Sequence, residues 1–420
     1  MGKGFTNSNI SMIKSRMQNI YKTPGDTRDE FFRDYTRILH SYAYRRLKHK
    51  TQVFFNINND HICTRMEHVS HVEAVSHSIA LGLGLDTELT RAIAIGHDLG
   101  HAPFGHQGEC VLDNILINYL SDEYKEKFYN GCGEKLFWHE KNGLRFVDNI
   151  ELLADPCGKK RNLNLTYAVR DGIVSHCGEI DENGISPRSE CFNLQEYKTP
   201  GQYSPCSWEG CVVKVADKIA YLGRDIEDAI TLNILSEEEK IKLMKLGEEY
   251  GDGETLNTSS IMHGMIGDIC ENSTPEKGIR LGDKKYELLC AIKKFNYDYI
   301  YKSEQLNIYK DYVDLMLNSI FKKLYSAYQK EYTIRCLQNE YLQMYPKLSK
   351  YFIDWLVTYC TRDMIKKNDK SLIEKTANLE NDKIYGKLDS RDLYVQAIVD
   401  FISGMTDSYA ISVFEELISF

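Results

Sequence analysis

The chain has 420 residues, 42% of them hydrophobic, which is enough for one large or two to three ordinary domains around a substantial core. A formal net charge of −9 argues against general nucleic-acid binding through phosphate neutralisation and gives no indication of single-stranded nucleic acid as a partner, although a local metal or cationic pocket can still receive a small anion. The 12 cysteines form no CxxC pair and there is neither a signal-peptide run nor an apolar stretch of about 18 residues, so the expectation is a cytoplasmic protein with reduced thiols and no membrane partner.

Thr27 and Glu30 make a capping-box signature, and Phe31, Phe32, Tyr35, Ile38, Leu39 and Tyr42 follow at helical spacing, which predicts a first amphipathic helix over 28–46. The next stretch, TQVFFNINNDHICTR (51–65), centres on Asn and Asp and suits a short hairpin or irregular loop. Over 66–83, Val69, Val72, Val75, Ile79 and Leu83 define a buried face that His68 shares, and Asp86 then caps a helix through Leu89, Ala92, Ile93 and His97. Further helices are expected over 162–176 and 210–230, separated by a Gly-, Pro-, Ser- and Asn-rich loop over 181–207. Beyond 234, charged segments carry Leu, Ile and Tyr at helical spacing, broken by a polar loop near 251–260. The class is all-α. A core with its N-terminal helix and hairpin is expected over 1–230, and a helical extension over 231–420 that packs on it and contributes to a substrate pocket and to oligomerisation.

The stretch HDLGHAPFGHQGE (97–109) holds three histidines, an aspartate and a glutamate, and Asp217 answers it far downstream in KVADKIAY. His68, His97, Asp98 and Asp217 offer a mixed imidazole and carboxylate set suited to an octahedral divalent ion such as Mn²⁺, Mg²⁺ or Fe²⁺, one per subunit. Consecutive helical side chains diverge by about 100°, so His97 and Asp98 can share an ion only where the helix is ending. Gly100 and Pro103 supply that ending. Asp217, Tyr221 and Asp225 line one helical face and would give a cleft a ligand, an aromatic wall and a hydroxyl acceptor, with Lys218 and Arg65 as cations for phosphate. Outside the metal set stand His101, His106, Glu109 and His139. His106 and Glu109 are three positions apart, so the carboxylate could orient that imidazole as a general acid/base dyad. A second reading has His101 and His139 binding another ion.

These residues resemble the HD-domain phosphohydrolases, specifically the deoxynucleoside triphosphate triphosphohydrolases related to bacterial dGTPase. The resemblance extends through RDYTRILHSYAYRRLKHKTQVF (33–54), TRMEHVSHV (64–72), HDLGHAPFGHQGE, FWHEKNGLRFV (137–147), NLTYAVRDGI (164–173), KVADKIAYLGRDIEDAI (214–230) and DFISGMTDSYA (400–410), in the family's order; residues 234–307 match nothing in it. It implies an HD-domain helical core, His68, His97, Asp98 and Asp217 as metal ligands, and catalytic or phosphate-contacting roles for His101, His106, Glu109 and His139. It further implies that Gln52 and Asp225 read the sugar 3′-hydroxyl, that Tyr221 packs against C2′ and disfavours ribose, and that Lys218 and Arg65 contact the nucleotide. One departure is that Val69 and His71 stand where the family often has Ser or Thr and Glu.

The implied reaction is attack of water on the α-phosphorus of a deoxynucleoside triphosphate, giving a deoxynucleoside and inorganic tripolyphosphate, in a homo-oligomer built from dimers, a hexamer being one option. Two alternatives are an HD phosphohydrolase of nucleoside monophosphates or cyclic nucleotides, which needs less of the Tyr221 and Asp225 wall, and a non-enzymatic nucleotide sensor.

Overall fold

Helices supply almost all the regular structure, as the 3.6-residue periodicity predicts, and the only named sheet among the described residues has two strands of three residues. The computed structural model describes residues 4–419 except 21, 23–24, 55–58, 60, 130–134, 178–181 and 251–255.

The first expected helix is two. Helix α1 spans Glu30–His40 and α2 spans Tyr42–Arg46. The cap is Asp29 rather than Thr27: its carboxylate accepts the Phe32 N–H at 2.7 Å, while Glu30 pairs with Arg16 at 3.0 Å instead of closing a box. Ser41 breaks the run by adopting extended backbone and accepting the Tyr44 N–H, the competition with helical bonding that short hydroxyl side chains offer. In the segment expected as hairpin or loop, Thr51 and Thr64 form one antiparallel bridge, and residues 55–58 and 60 lie outside the described residues.

Helix α3, Arg65–Leu83, opens on a capping box between Thr64 and Glu67 and closes on Gly84 at φ 73°. Helix α4, Thr87–Gly96, is capped by Asp86, whose carboxylate accepts the Glu88 and Leu89 N–H groups. Helices α5 (Gly105–Tyr119) and α6 (His139–Arg145) follow. The helix expected from 162 begins five residues later, as α7, Tyr167–Ser175, because 160–162 pair instead as β2 (Lys160–Asn162) with β1 (Leu152–Ala154). Helix α8, Trp208–Thr231, starts two residues early on the Ser207 cap, and α9, Thr258–Asn272, starts inside the expected polar loop on the Asn257 cap. Residues 251–255 of that loop lie outside the described set.

The chain forms two compact units, each assembled from three segments. The first comprises 1–39, 51–98 and 164–310. In it α3, α4, α7 and α8 pack on one another, and α1 is tied to the start of α7 because Asp34 accepts from both Thr166 N and Oγ1, at 2.8 and 2.6 Å. Close approach of α4 and α7 depends on two glycines. A Cβ on Gly172 would lie 2.6 Å from Ile93, and one on Gly96 3.0 Å from Ile173.

The second unit comprises 40–50, 99–163 and 311–420. Helix α10 (Arg391–Ser403) packs on α5 and anchors α6 through Asp400, which takes a two-pronged ion pair from Arg145 at 2.8 and 2.6 Å. The buried Lys50 ammonium donates to the carbonyls of His101 and Ser403, and Asp407 accepts the Phe104 N–H at 2.9 Å. These bonds fix the backbone that carries His101. No helix among the described residues is long and apolar enough to cross a membrane, and every described cysteine is a free thiol.

Candidate metal centre and imidazole cluster

The first unit brings His68 from α3, His97 and Asp98 from the end of α4, and Asp217 from α8 together. His68 Nε2 lies 3.0 Å from Asp217 Oδ1 and 3.8 Å from Asp98 Oδ2; His97 Nε2 lies 3.3 Å from Asp98 Oδ1 and 3.7 Å from Asp217 Oδ1. His97 is the residue after α4, and its Nδ1 sits 2.6 Å from the Ala94 carbonyl, which can only accept, so Nδ1 carries the hydrogen and Nε2 faces the carboxylates. The helix ends there, which is what lets His97 and Asp98 address one point.

At His97 and Asp217, burial and the neighbouring opposite charges pull in opposite directions. Burial disfavours imidazolium at His97, yet the Asp98 and Asp217 carboxylates raise its pKa; burial pushes the Asp217 carboxyl up, yet His68 and His97 hold it well below the usual carboxylate range. Asp98 is also fastened by Arg65 Nη1 at 2.8 Å, with both side chains nearly fully buried, and the same guanidinium donates to the Thr51 and Gln52 carbonyls.

These residues fit a divalent ion. Donors about 2.1 Å from an octahedral centre lie about 3.0 Å apart when adjacent and about 4.2 Å apart when opposite, and the four separations above fall in that window. His97 Nε2, moreover, is buried and makes no hydrogen bond. Ligating atoms of His68, His97 and Asp98 all lie within 4.8 Å of one another.

The second unit holds His101, His106 and His139. A Cβ on Gly100 would fall 2.0 Å from the His139 carbonyl oxygen and 2.1 Å from Gly143 N, so only glycine lets the chain pass α6, and Asn142 Nδ2 seals the contact by donating to the Gly100 carbonyl at 2.7 Å. The His101 and His139 rings stack in consequence, with centroids 3.8 Å apart and planes 17° apart. Exposed His106 stands 5.7 Å from the first ring and 5.8 Å from the second, each nearly perpendicular. Glu109 has partners that its spacing from His106 does not reveal. It accepts from His139 Nδ1 at 2.9 Å and pairs with Lys135 at 2.5 Å, and the positive charge around it, His139 first, overcomes burial to keep its carboxyl well below the usual range. Ligating atoms of His101, Glu109 and His139 lie within 4.8 Å of one another, but stacked rings aim their in-plane lone pairs side by side, a poor arrangement for a shared ion.

An HD-domain family model matches residues 65–222, which contain both clusters. A deoxyguanosinetriphosphate triphosphohydrolase-like protein of Desulfatibacillum aliphaticivorans is 35% identical over 295 residues, covering 69% of this chain and 72% of its own. The chain belongs to the dGTPase-like family of HD-domain phosphohydrolases. Relatives carrying the same name span nearly the whole sequence: that of Caldanaerobacter subterraneus subsp. tengcongensis is 29% identical over 93% of this chain and 86% of its own, and that of Rickettsia felis is 29% identical over 97% and 96%.

In this phosphohydrolase the remaining expected site residues lie in the first unit. Asp225 is buried and accepts from Tyr301 Oη at 2.5 Å; burial, with Asp228 and Asp217 adding like charge, lifts its carboxyl to about 7 against that bond. Lys218 is buried beside Asp217, Tyr221 is half-buried one turn on, and Gln52 keeps its Oε1 buried without a hydrogen bond. Sequence reasoning missed His176. It follows α7 as His97 follows α4, is 1% exposed, and places a ring nitrogen within 4.8 Å of the ligating atoms of His97 and Asp217.

Proposed function

We propose that this phosphohydrolase converts deoxynucleoside triphosphates to deoxynucleosides and inorganic tripolyphosphate. What supports the reading is the convergence of four donors, His68, His97, Asp98 and Asp217, at separations of 3.0 to 3.8 Å in a member of the dGTPase-like family. These four would hold one Mn²⁺, Mg²⁺ or Fe²⁺, and the ion's chemistry is to neutralise and polarise phosphate oxygens.

The chain's own residues do the rest. Lys218 and Arg65 add positive charge for the phosphates, Arg65 also fastening Asp98. Gln52 and Asp225 bond the sugar 3′-hydroxyl, and Tyr221 packs against C2′ so that a ribose 2′-hydroxyl has no room. Water attacks the α-phosphorus, and an imidazole of the His101, His106 and His139 group, with Glu109 orienting His139, protonates the departing nucleoside 5′-oxygen. The enzyme works in the cytoplasm as a homo-oligomer, with 231–420 as the extension that completes the pocket of the 1–230 core.

The test is incubation of purified protein with each dNTP and rNTP in Mn²⁺ or Mg²⁺, followed by product chromatography. Tripolyphosphate from dNTPs alone is expected. Orthophosphate from nucleoside monophosphates, or ring opening of cyclic nucleotides with triphosphates untouched, would replace this reading.

A further inference from the structure

His176, which sequence reasoning does not single out, is built like a member of the donor set. We propose that His176 is a fifth protein ligand of the metal centre, making a set of three imidazoles and two carboxylates. The proposal rests on the functional reading in one respect, that the cluster around His97 holds a divalent ion.

Its tautomer matches that of His97. His176 Nδ1 lies 2.7 Å from the Ile173 carbonyl, three residues back, as His97 Nδ1 lies 2.6 Å from the Ala94 carbonyl, also three back. A carbonyl can only accept, so each Nδ1 bears the hydrogen and each Nε2 the lone pair, the arrangement in which a backbone carbonyl orients a ligating imidazole. The position matches too. Both histidines immediately follow their helices, and α4 and α7 approach through Gly96 against Ile173 and Gly172 against Ile93, which sets the rings 4.9 Å apart and 85° to one another. Perpendicular rings let two in-plane lone pairs converge on one point, which the stacked pair in the other unit does not.

Distance and chemistry agree. Ligating atoms of His97, His176 and Asp217 fall within 4.8 Å of one another, so a small contraction brings them into the roughly 3.0 to 4.2 Å window of an octahedral set. A third nitrogen tilts the site from Mg²⁺, which favours oxygen donors, toward Mn²⁺ or Fe²⁺. A histidine serving only to end its helix would have no bearing on the ion.

The deciding measurement counts imidazole nitrogens on Mn²⁺ by pulsed electron paramagnetic resonance in the full chain and in His176→Gln. Three couplings are expected in the parent and two in the variant, with the Mn²⁺ dissociation constant rising about 10-fold or more. Two couplings in the parent overturn the proposal, and this holds even where the variant fails to fold. Two couplings with tripolyphosphate still released would remove His176 and leave the proposed reaction standing; no coupling at all would remove the metal centre itself.

Discussion

His139 donates from Nδ1 to Glu109 at 2.9 Å across 30 positions of sequence, and the same carboxylate holds Lys135. The bond fixes the imidazole's tautomer and leaves Nε2 as the nitrogen that can exchange a proton with substrate. Glu109→Gln keeps the shape and removes the charge, so kcat should fall about 100-fold or more while bound metal, measured by elemental analysis, stays at the parental level. His106→Ala should likewise abolish turnover with metal retained. Parental turnover in either variant would take that residue out of the reaction.

Arg65 and Asp98 form an ion pair in which both side chains are nearly fully buried. Removing one partner strands the other's charge, and Arg65→Met should cost about 3–5 kcal/mol of stability by urea unfolding of metal-free protein. Metal affinity should drop about 10- to 100-fold, because Asp98 loses the bond that orients it. Parental affinity in isothermal titration would show that Arg65 does not position this ligand.

At Gly100 two backbones of the second unit pass in close contact. Alanine there would place a methyl 2.0 Å from the His139 carbonyl oxygen, and neither backbone can yield cheaply. Gly100→Ala should lose more than about 3 kcal/mol of stability, and whatever folds should be impaired in kcat because His101 and His139 are forced apart. A variant with parental melting temperature and kcat would contradict the packing described for α6.

Asp225 makes stability depend on pH. Its folded-state pKa of about 7 exceeds the ordinary 3.8, so between these values the unfolded chain has released a proton that the folded chain keeps. Stability of metal-free protein should therefore fall as pH rises through this window and level off above it, with a slope of at most about 1.4 kcal/mol per pH unit. Asp225→Asn removes that slope. Parallel pH profiles for the two proteins, from urea titrations, would assign the dependence elsewhere.

Metal should stabilise the fold by mass action. At a free Mn²⁺ concentration about 100 times its dissociation constant the gain is about 2.7 kcal/mol, visible as a melting temperature that rises with added Mn²⁺ and falls with chelator. His97→Ala should flatten that response, since the buried Nε2 it removes has no hydrogen-bond partner of its own. An unchanged response would place the ion elsewhere.

Some of the architecture was legible in the residues because it is local. Val69, Val72, Val75 and Ile79 announce α3 through helical spacing, Asp86 announces the start of α4, and His97 followed by Asp98, Gly100 and Pro103 announces a helix ending in potential ligands. Where two local signals compete, sequence misjudges by a few residues, as with Thr27 against Asp29 and the hairpin that delays α7.

The sequence by itself determined the helical class, the kinship with HD-domain phosphohydrolases and the chemical identity of the donors, since periodicity, capping and motif spacing act within a few residues of chain. Tertiary structure alone decided which groups meet: Glu109 with His139, Arg65 on Asp98, His176 beside His97, and two units each drawn from three separate segments. Such partners are chosen by packing, where glycines at 96, 100 and 172 let backbones approach, and no spacing rule along the chain carries that information.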